Sequence, residues 1–97
     1  MSNLNSKIER HRLVFKGRVQ GVGFRYIIQS IANKKNLTGW VKNLSNDDVE
    51  VEIQGPLFYI KYVKSYMSHE SPWIKIIKIE DKEINIKKSE RSFSVLY

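Results

Sequence analysis

Residues 49–54 have the sequence Val49-Glu50-Val51-Glu52-Ile53-Gln54, in which apolar and polar side chains alternate without a break. Successive side chains of a β-strand point to opposite faces of the sheet, so this alternation predicts a strand with one buried face. The polar run before it, residues 43–48, predicts a turn. Residues 37–42 precede that turn and predict a second strand. The middle of the chain is therefore predicted to be two strands joined by a turn.

The N-terminal side of these strands predicts a strand, a loop and a helix. Residues 12–16 alternate, with Leu13 and Phe15 on one face. The glycine-containing segment 17–23 follows and predicts a loop. Helical spacing begins after the loop and places four apolar side chains on one face: Phe24, Ile27, Ile28 and Ile31.

The C-terminal side predicts a second helix and two more strands. Gly55-Pro56 is a typical helix start, because proline is tolerated at the first helical position. A helical period follows at Leu57, Ile60, Val63 and Met67. Residues 73–81 and 93–97 predict the last two strands.

The predicted order is β-α-β-β-α-β with a short terminal strand. Two split β-α-β units of this kind form a ferredoxin-like α+β fold, an antiparallel sheet with both helices on one face. Residues 1–9 are predicted to be a flexible tail and residues 10–97 a single domain. The first and second strands run parallel in this fold, so the loop 17–23 and Asn43, which follow their ends, are expected to be neighbours.

The composition is that of a small basic protein without cysteine. The 97 residues include 17 Lys and Arg against 10 Asp and Glu, a formal net charge of +7. The lack of cysteine excludes disulfides, thiolate metal sites and a cysteine nucleophile. No apolar run approaches the roughly 20 residues that span a bilayer, and no signal peptide is evident. We therefore expect a cytoplasmic protein without membrane contact, whose charge favours an anionic partner.

The loop before the first helix carries the main functional signal. A glycine loop at a helix N-terminus directs unpaired backbone N–H groups at one point and binds phosphate-sized anions. Gly21 and Gly23 allow positive φ, and Arg25 in the first helical turn can hold two phosphate oxygens at once. The loop lacks the Gly-Lys-Ser/Thr of a Walker A motif and the third glycine of the dinucleotide fingerprint. Neither type of nucleotide site is expected.

Two segments together resemble the acylphosphatase family. Residues 17–25 match its signature G-x-V-Q-G-V-x-F-R. The second signature, G-x-V-x-N followed by a V-E strand and a glycine, is matched by residues 39–43, Val49-Glu50 and Gly55. The resemblance extends from about Arg10 to Tyr97 and agrees with the fold predicted from periodicity.

The resemblance implies hydrolysis of acyl phosphates, which are mixed anhydrides, to a carboxylate and inorganic phosphate, with no metal or other cofactor. By position it assigns catalysis to Arg25, which would bind the phosphoryl oxygens, and to Asn43, which would orient the attacking water. The implied phosphate-binding loop consists of Gln20, Gly21, Val22, Gly23, Phe24 and Arg25. The implied partner is a small-molecule acyl phosphate. Nucleic acid is not expected, and the lack of a long heptad pattern predicts a monomer.

One turn departs from the family pattern. The family usually has Asp-Gly after the catalytic asparagine, whereas this chain has Asn46-Asp47-Asp48. If the glycine position requires positive φ, Asp47 is expected to adopt it at modest strain, since Asp and Asn visit that region more readily than most residues.

Two other functions remain open. An RNA-binding sheet domain shares the element order and would suit the charge, but its third strand should carry stacking aromatic residues. Here that strand carries Glu50 and Glu52. The other alternative is an acylphosphatase-like domain that binds a partner within a larger assembly without catalysis.

Several charged positions are predicted to be structural. Glu50 and Glu52 are interpreted as a solvated strand face, not a catalytic pair. His11 and His69 have no evident acidic partner at ligand spacing and are interpreted as surface or packing residues.

Overall fold

A computed structural model describes residues 6–97 and contains the predicted succession of elements. The strands are β1 (Ile8–Arg18), β2 (Thr38–Asn43), β3 (Val49–Pro56), β4 (Lys75–Ile84) and β5 (Phe93–Val95), and the helices are α1 (Phe24–Lys34) and α2 (Leu57–His69). The β-α-β-β-α-β order with a terminal strand, and with it the ferredoxin-like fold class, are confirmed. No helix within the described residues is long and apolar enough to cross a membrane.

The five strands form one sheet in the order β4-β1-β3-β2-β5. The pairs β1–β3, β1–β4 and β2–β3 are antiparallel, whereas β5 joins β2 in parallel. Both β1 and β2 are antiparallel to β3, so they run in the same direction and end at the same edge of the sheet. Helix α1 packs on β2, β5 and α2, and α2 packs on β3 and β1, so both helices cover one face.

The core lies between that face and the helices. Leu13 and Phe15 of β1 are fully buried there, as the alternation predicts. Phe15 meets Phe24, the first residue of α1, edge to face, with ring centroids 4.9 Å apart. Aromatic pairs in this geometry stabilise beyond their buried area. This contact fixes the distance between β1 and the start of α1. It therefore fixes the positions of the two ends of the loop that joins them.

The boundary predicted for the N-terminal tail requires a correction. Strand β1 begins at Ile8, so Ile8 and Glu9 belong to the sheet, opposite Pro56 and Gly55 of β3. The backbone N–H of Leu57 also donates to the Lys7 carbonyl at 3.0 Å. Pairing with β3 therefore extends β1 toward the N-terminus, beyond the predicted start of the domain at Arg10. The rest of the predicted tail includes residues 1–5, which lie outside the described residues.

Other element ends differ by one to three residues. Pro56 closes β3 and α2 begins at Leu57, one residue later than predicted. Strand β4 covers residues 75–84 instead of 73–81, because the backbone N–H of Ile74 bonds back to the Ser71 carbonyl in a turn. Strand β5 ends at residue 95 instead of 97.

The sheet face opposite the helices carries an ion-paired network, so the interpretation of Glu50 and Glu52 as a solvated face requires a correction: both side chains are ion-paired and only partly exposed. Arg12 pairs with Glu50 at 2.6 Å, and Arg10 pairs with Glu52 at 2.9 Å. Arg10 is completely buried and also pairs with Glu90 at 2.7 Å. A buried guanidinium needs such partners, because an uncompensated charge in the interior is costly.

The interpretation of His11 as a residue without acidic partners is also wrong. Its Nδ1 lies 2.6 Å from Asp81 and its Nε2 lies 2.7 Å from Glu9. Burial by itself lowers the pKa of His11, but the hydrogen bonds to these carboxylates outweigh burial, and the pKa is raised. Burial likewise opposes ionisation of Asp81, yet hydrogen bonds from Lys64 and His11 hold the pKa of that carboxyl below its usual value.

This cluster predicts a pH-dependent stability. A raised histidine pKa stabilises the fold fully below the unfolded value of about 6.5, and the stabilisation is lost as pH rises through the folded pKa. We expect His11→Gln to lower the free energy of unfolding by about 1 kcal/mol at pH 5.5, as for a partly exposed ion pair, and by less at pH 9. Urea unfolding at both pH values measures the difference.

The matched control is His69→Gln, which removes an exposed histidine bonded to the Ser65 carbonyl. We expect its stability to follow the wild-type pH profile. If His11→Gln lowers the free energy of unfolding equally at pH 5.5 and pH 9, the charged role of His11 is contradicted.

Candidate active site

A small pocket lies at the sheet edge where β1 and β2 end and α1 begins. Its volume is about 100 Å³, and it is lined by Val19, Gly21, Gly23, Phe24, Arg25, Tyr26 and Asn43. The parallel direction of β1 and β2 thus brings the glycine loop and Asn43 together, as expected. Four of the six residues of the predicted phosphate-binding loop line the pocket, and Gln20 and Val22 do not.

The loop has the backbone conformation that the two glycines allow. Gly21 and Gly23 have φ values of 72° and 80°, in the left-handed region. No atom outside its chain neighbours lies within 4 Å of the position a Cβ would take at Gly21, so glycine is favoured there by backbone conformation and not by lack of room. Gly23 precedes α1 and provides no side-chain cap, and the first turn contains no acidic residue. The positive end of the helix dipole is therefore left for an external anion.

Gln20 acts through its side chain in a way that the sequence pattern does not indicate. Its Nε2 donates to two backbone carbonyls of the turn between β2 and β3, those of Leu44 and Asp48, each at 2.8 Å. The Leu44 carbonyl belongs to the residue directly after Asn43. The side chain thus ties the glycine loop to the strand end that presents Asn43.

The turn that departs from the family pattern is well closed. Asp47 has a φ of 75°, so the expectation that it adopts the left-handed region is confirmed. The side chain of Asn46 accepts a hydrogen bond from the backbone N–H of Asp48 at 3.1 Å, and Asp48 pairs with Lys16 at 2.7 Å. These contacts compensate for the missing glycine and leave the end of β2 in place.

Arg25 lies at the pocket with its charge unneutralised. Its Nη1 donates to the Leu96 carbonyl at 3.4 Å, and its guanidinium carbon lies 4.9 Å from the centroid of the Tyr97 ring. Among residues 6–97, no carboxylate forms an ion pair with Arg25. A cation in the first turn opposes the helix dipole, and an anion bound beside Arg25 would offset that cost.

Asn43 is the last residue of β2 and is half-buried at the pocket. Its backbone pairs with Val49 of β3, which fixes the position of its Cα. In the part of the chain that the structure describes, its side-chain amide has no hydrogen-bond partner. The amide therefore keeps one carbonyl acceptor and two N–H donors for a bound molecule.

Residues near the end of the chain also contribute, although the sequence pattern did not indicate them. Leu96 is fixed by a hydrogen bond from its N–H to the Val41 carbonyl at 2.8 Å, and it is the acceptor for Arg25. Tyr97 covers one side of the Arg25 guanidinium. The parallel pairing of β5 with β2 brings these residues to the pocket, and only the aromatic residue Tyr97, four positions after Phe93, could have suggested it.

Within the described range, His, Asp and Glu side chains do not form a group of three or more that could hold a metal ion. The pocket thus combines a glycine loop, an uncapped helix start, an arginine without an ion pair and an amide side chain without a hydrogen-bond partner among residues 6–97, at the edge of a ferredoxin-like sheet.

Known proteins share this fold and sequence. The Acylphosphatase family profile matches residues 11–95. An acylphosphatase from Clostridium beijerinckii is 43% identical over 91 residues, which cover 91% of this chain and 98% of that protein. The crystal structure of the acylphosphatase from Bacillus subtilis has a TM-score of 0.85 at 35% identity, covering 94% of this chain and all of the other. The chain therefore belongs to the acylphosphatase family, a family of hydrolases.

One structural relative is much larger. Full-length HypF, solved in a phosphate- and nucleotide-bound form, matches with a TM-score of 0.78 at 27% identity. The match covers 94% of this chain but 12% of the HypF chain. The same fold thus occurs within a longer protein, whereas the acylphosphatase from Clostridium beijerinckii is matched over almost its whole length.

Proposed function

We propose that this protein hydrolyses acyl phosphates to a carboxylate and inorganic phosphate, without a metal or other cofactor. One observation carries the proposal: an arginine without an ion pair and an asparagine with a free amide line the same small pocket at the start of α1. Membership of the acylphosphatase family supports it. A cytoplasmic location and a monomeric state stay predictions from the sequence.

The proposed binding step uses the loop and Arg25. Of the loop, Gly21, Gly23, Phe24 and Arg25 line the pocket, and their backbone N–H groups would hold the phosphoryl group, while the planar Arg25 guanidinium holds two of its oxygens. The pocket of about 100 Å³ is well below the roughly 300 Å³ at the lower end of sites for whole drug-sized ligands. It is suited to one end of a small molecule, so the acyl group would project outward.

The proposed chemical step uses Asn43 and water. The carbonyl oxygen of the Asn43 side chain accepts a hydrogen bond from a water molecule and holds it in line with the scissile bond. The water oxygen bonds to phosphorus, the bond from phosphorus to the carboxylate oxygen breaks, and the proton is released to phosphate or solvent. A carboxylate is a good leaving group, so positioning and charge stabilisation supply most of the catalysis.

Contacts on the open sheet face argue against the RNA-binding alternative. Besides the buried Arg10, four cations there are held by carboxylates: Arg12 and Lys42 by Glu50, Lys16 by Asp48 and Lys78 by Glu80. Phosphate binding at that face would compete with these pairs, so we expect only the weak, salt-sensitive RNA affinity of any basic protein.

Hydrolysis of benzoyl phosphate by the purified protein in excess EDTA tests the proposal. We expect release of inorganic phosphate well above the spontaneous rate, and no comparable release from p-nitrophenyl phosphate, a monoester without the activated anhydride bond. The absence of benzoyl phosphate hydrolysis overturns the proposal. Activity that EDTA removes and a divalent cation restores overturns its metal-independent form.

A further inference from the structure

Three large side chains lie exposed beside the phosphate pocket, where their apolar surface has no function in the proposed chemistry. The exposed fractions are 57% for Tyr26, 40% for Leu96 and 88% for Tyr97. Tyr26 lines the pocket itself, and Tyr97 lies against the guanidinium of Arg25. Exposed aromatic residues gathered at one place on a small protein indicate a binding surface more often than chance.

The two tyrosines are held together as a unit. Their hydroxyl groups are hydrogen-bonded to each other, although the residues are 71 positions apart in the chain. Leu96, which precedes Tyr97 and accepts the hydrogen bond from Arg25, is anchored to β2 by its backbone N–H. The rings are therefore oriented beside the pocket before any ligand arrives, which lowers the entropic cost of binding against them.

The chemistry of the pair suits an apolar group attached to an anion. The hydrogen bond with Tyr26 raises the pKa of Tyr97, and the opposing effect of Arg25 is smaller. The Tyr97 hydroxyl is then neutral near pH 7 and does not repel a phosphoryl group. One face of the Tyr97 ring contacts the guanidinium, and most of the ring stays open to solvent.

We propose that Tyr26 and Tyr97 form the acyl-side subsite of the active site, and that this subsite favours acyl phosphates with a flat aromatic acyl group over those with a small one. The inference rests on the proposed function, because it takes the phosphoryl group to occupy the pocket beside Arg25. The acyl carbon skeleton must then leave the pocket past Tyr26. An aromatic acyl group stacks there, whereas an acetyl group is too short to cover either ring.

The test is the ratio of kcat/KM for benzoyl phosphate to kcat/KM for acetyl phosphate. We expect the ratio to fall about three- to tenfold in Tyr26→Ala and in Tyr97→Ala, the range that one aromatic contact supplies. Tyr26→Phe and Tyr97→Phe keep the rings and are expected to keep most of the ratio. Tyr62→Ala is the matched control, since it removes a 40% exposed tyrosine near Lys35, beyond the opposite end of α1.

The possible outcomes separate this inference from the function on which it rests. If the wild type hydrolyses neither substrate, the proposed function itself fails. If the wild type hydrolyses both and the alanine variants lose both activities equally, the tyrosines serve only to position Arg25, and the subsite is overturned. An unchanged ratio and unchanged rates in both alanine variants overturn it as well.

Discussion

Arg25→Gln will lower kcat/KM for benzoyl phosphate by about 10³-fold or more, the range for loss of a group that stabilises transferring phosphoryl oxygens. Glutamine keeps part of the side-chain length but loses the charge and the planar pair of donors. The substitution also leaves the first turn of α1 without its only basic side chain, so phosphate should bind more weakly as a product inhibitor. Steady-state hydrolysis and the inhibition constant for inorganic phosphate measure the two effects.

Two further variants sharpen this prediction. Arg25→Lys keeps the charge but not the two-pronged geometry, and we expect it to recover only a minor part of the activity. Arg91→Gln makes the same chemical change at an exposed position just before β5. Residue 91 lies near the start of β2, whereas Asn43 lies at its end, so the rate should stay unchanged. Equal rates for wild type and Arg25→Gln would remove Arg25 from the mechanism.

Asn43→Ala will lower kcat by about 10²–10³-fold, as for loss of one preorganised hydrogen-bonding group. The effect should fall on kcat with little change in KM, because in the proposed mechanism Asn43 holds the water and not the phosphoryl group. The side chain has no partner among the described residues, so its removal should leave the free energy of unfolding almost unchanged. Single-substrate kinetics and urea unfolding of the same preparation measure both.

The control for this variant is Asn85→Ala, at an exposed position just after β4. Because β4 is antiparallel to β1, residue 85 lies near the start of β1, whereas the pocket lies beyond the end of β1. It should behave as wild type in both assays. A rise in KM for Asn43→Ala without a fall in kcat would assign Asn43 to phosphoryl binding. A loss of stability as large as the loss of rate would mean that Asn43 serves the fold.

Local periodicity was sufficient to predict the fold, because each element carries a clear pattern. The alternation in residues 49–54 fixes which face of β3 is buried, and the register follows, since a shift by one residue would expose Val49, Val51 and Ile53. The element ends were less predictable. They depend on tertiary contacts, such as the pairing of Ile8 with Pro56, that no local pattern encodes.

The main features of the site could be predicted because they depend on strand direction and on a short loop. The details that could not be predicted are long-range side-chain contacts. The two acidic partners of His11 come from residues 9 and 81, and Gln20 reaches the turn carbonyls of residues 44 and 48. These contacts require knowledge of which strands are neighbours and how far each side chain reaches. Strand direction predicted that the loop and Asn43 are neighbours, and the family resemblance assigned roles to Arg25 and Asn43, but neither indicated the contacts that hold them.

The position of β3 between β1 and β2 has a consequence for the order of events in folding. The loop after β1 and the end of β2 become neighbours only when both strands have paired with β3, and the Leu96 acceptor for Arg25 arrives only when β5 docks on β2. Contacts between such distant parts of a chain close slowly, because their loop entropy is lost before the contacts form. The pocket is therefore one of the last features to be completed, and recovery of catalysis during refolding would report assembly of the whole sheet.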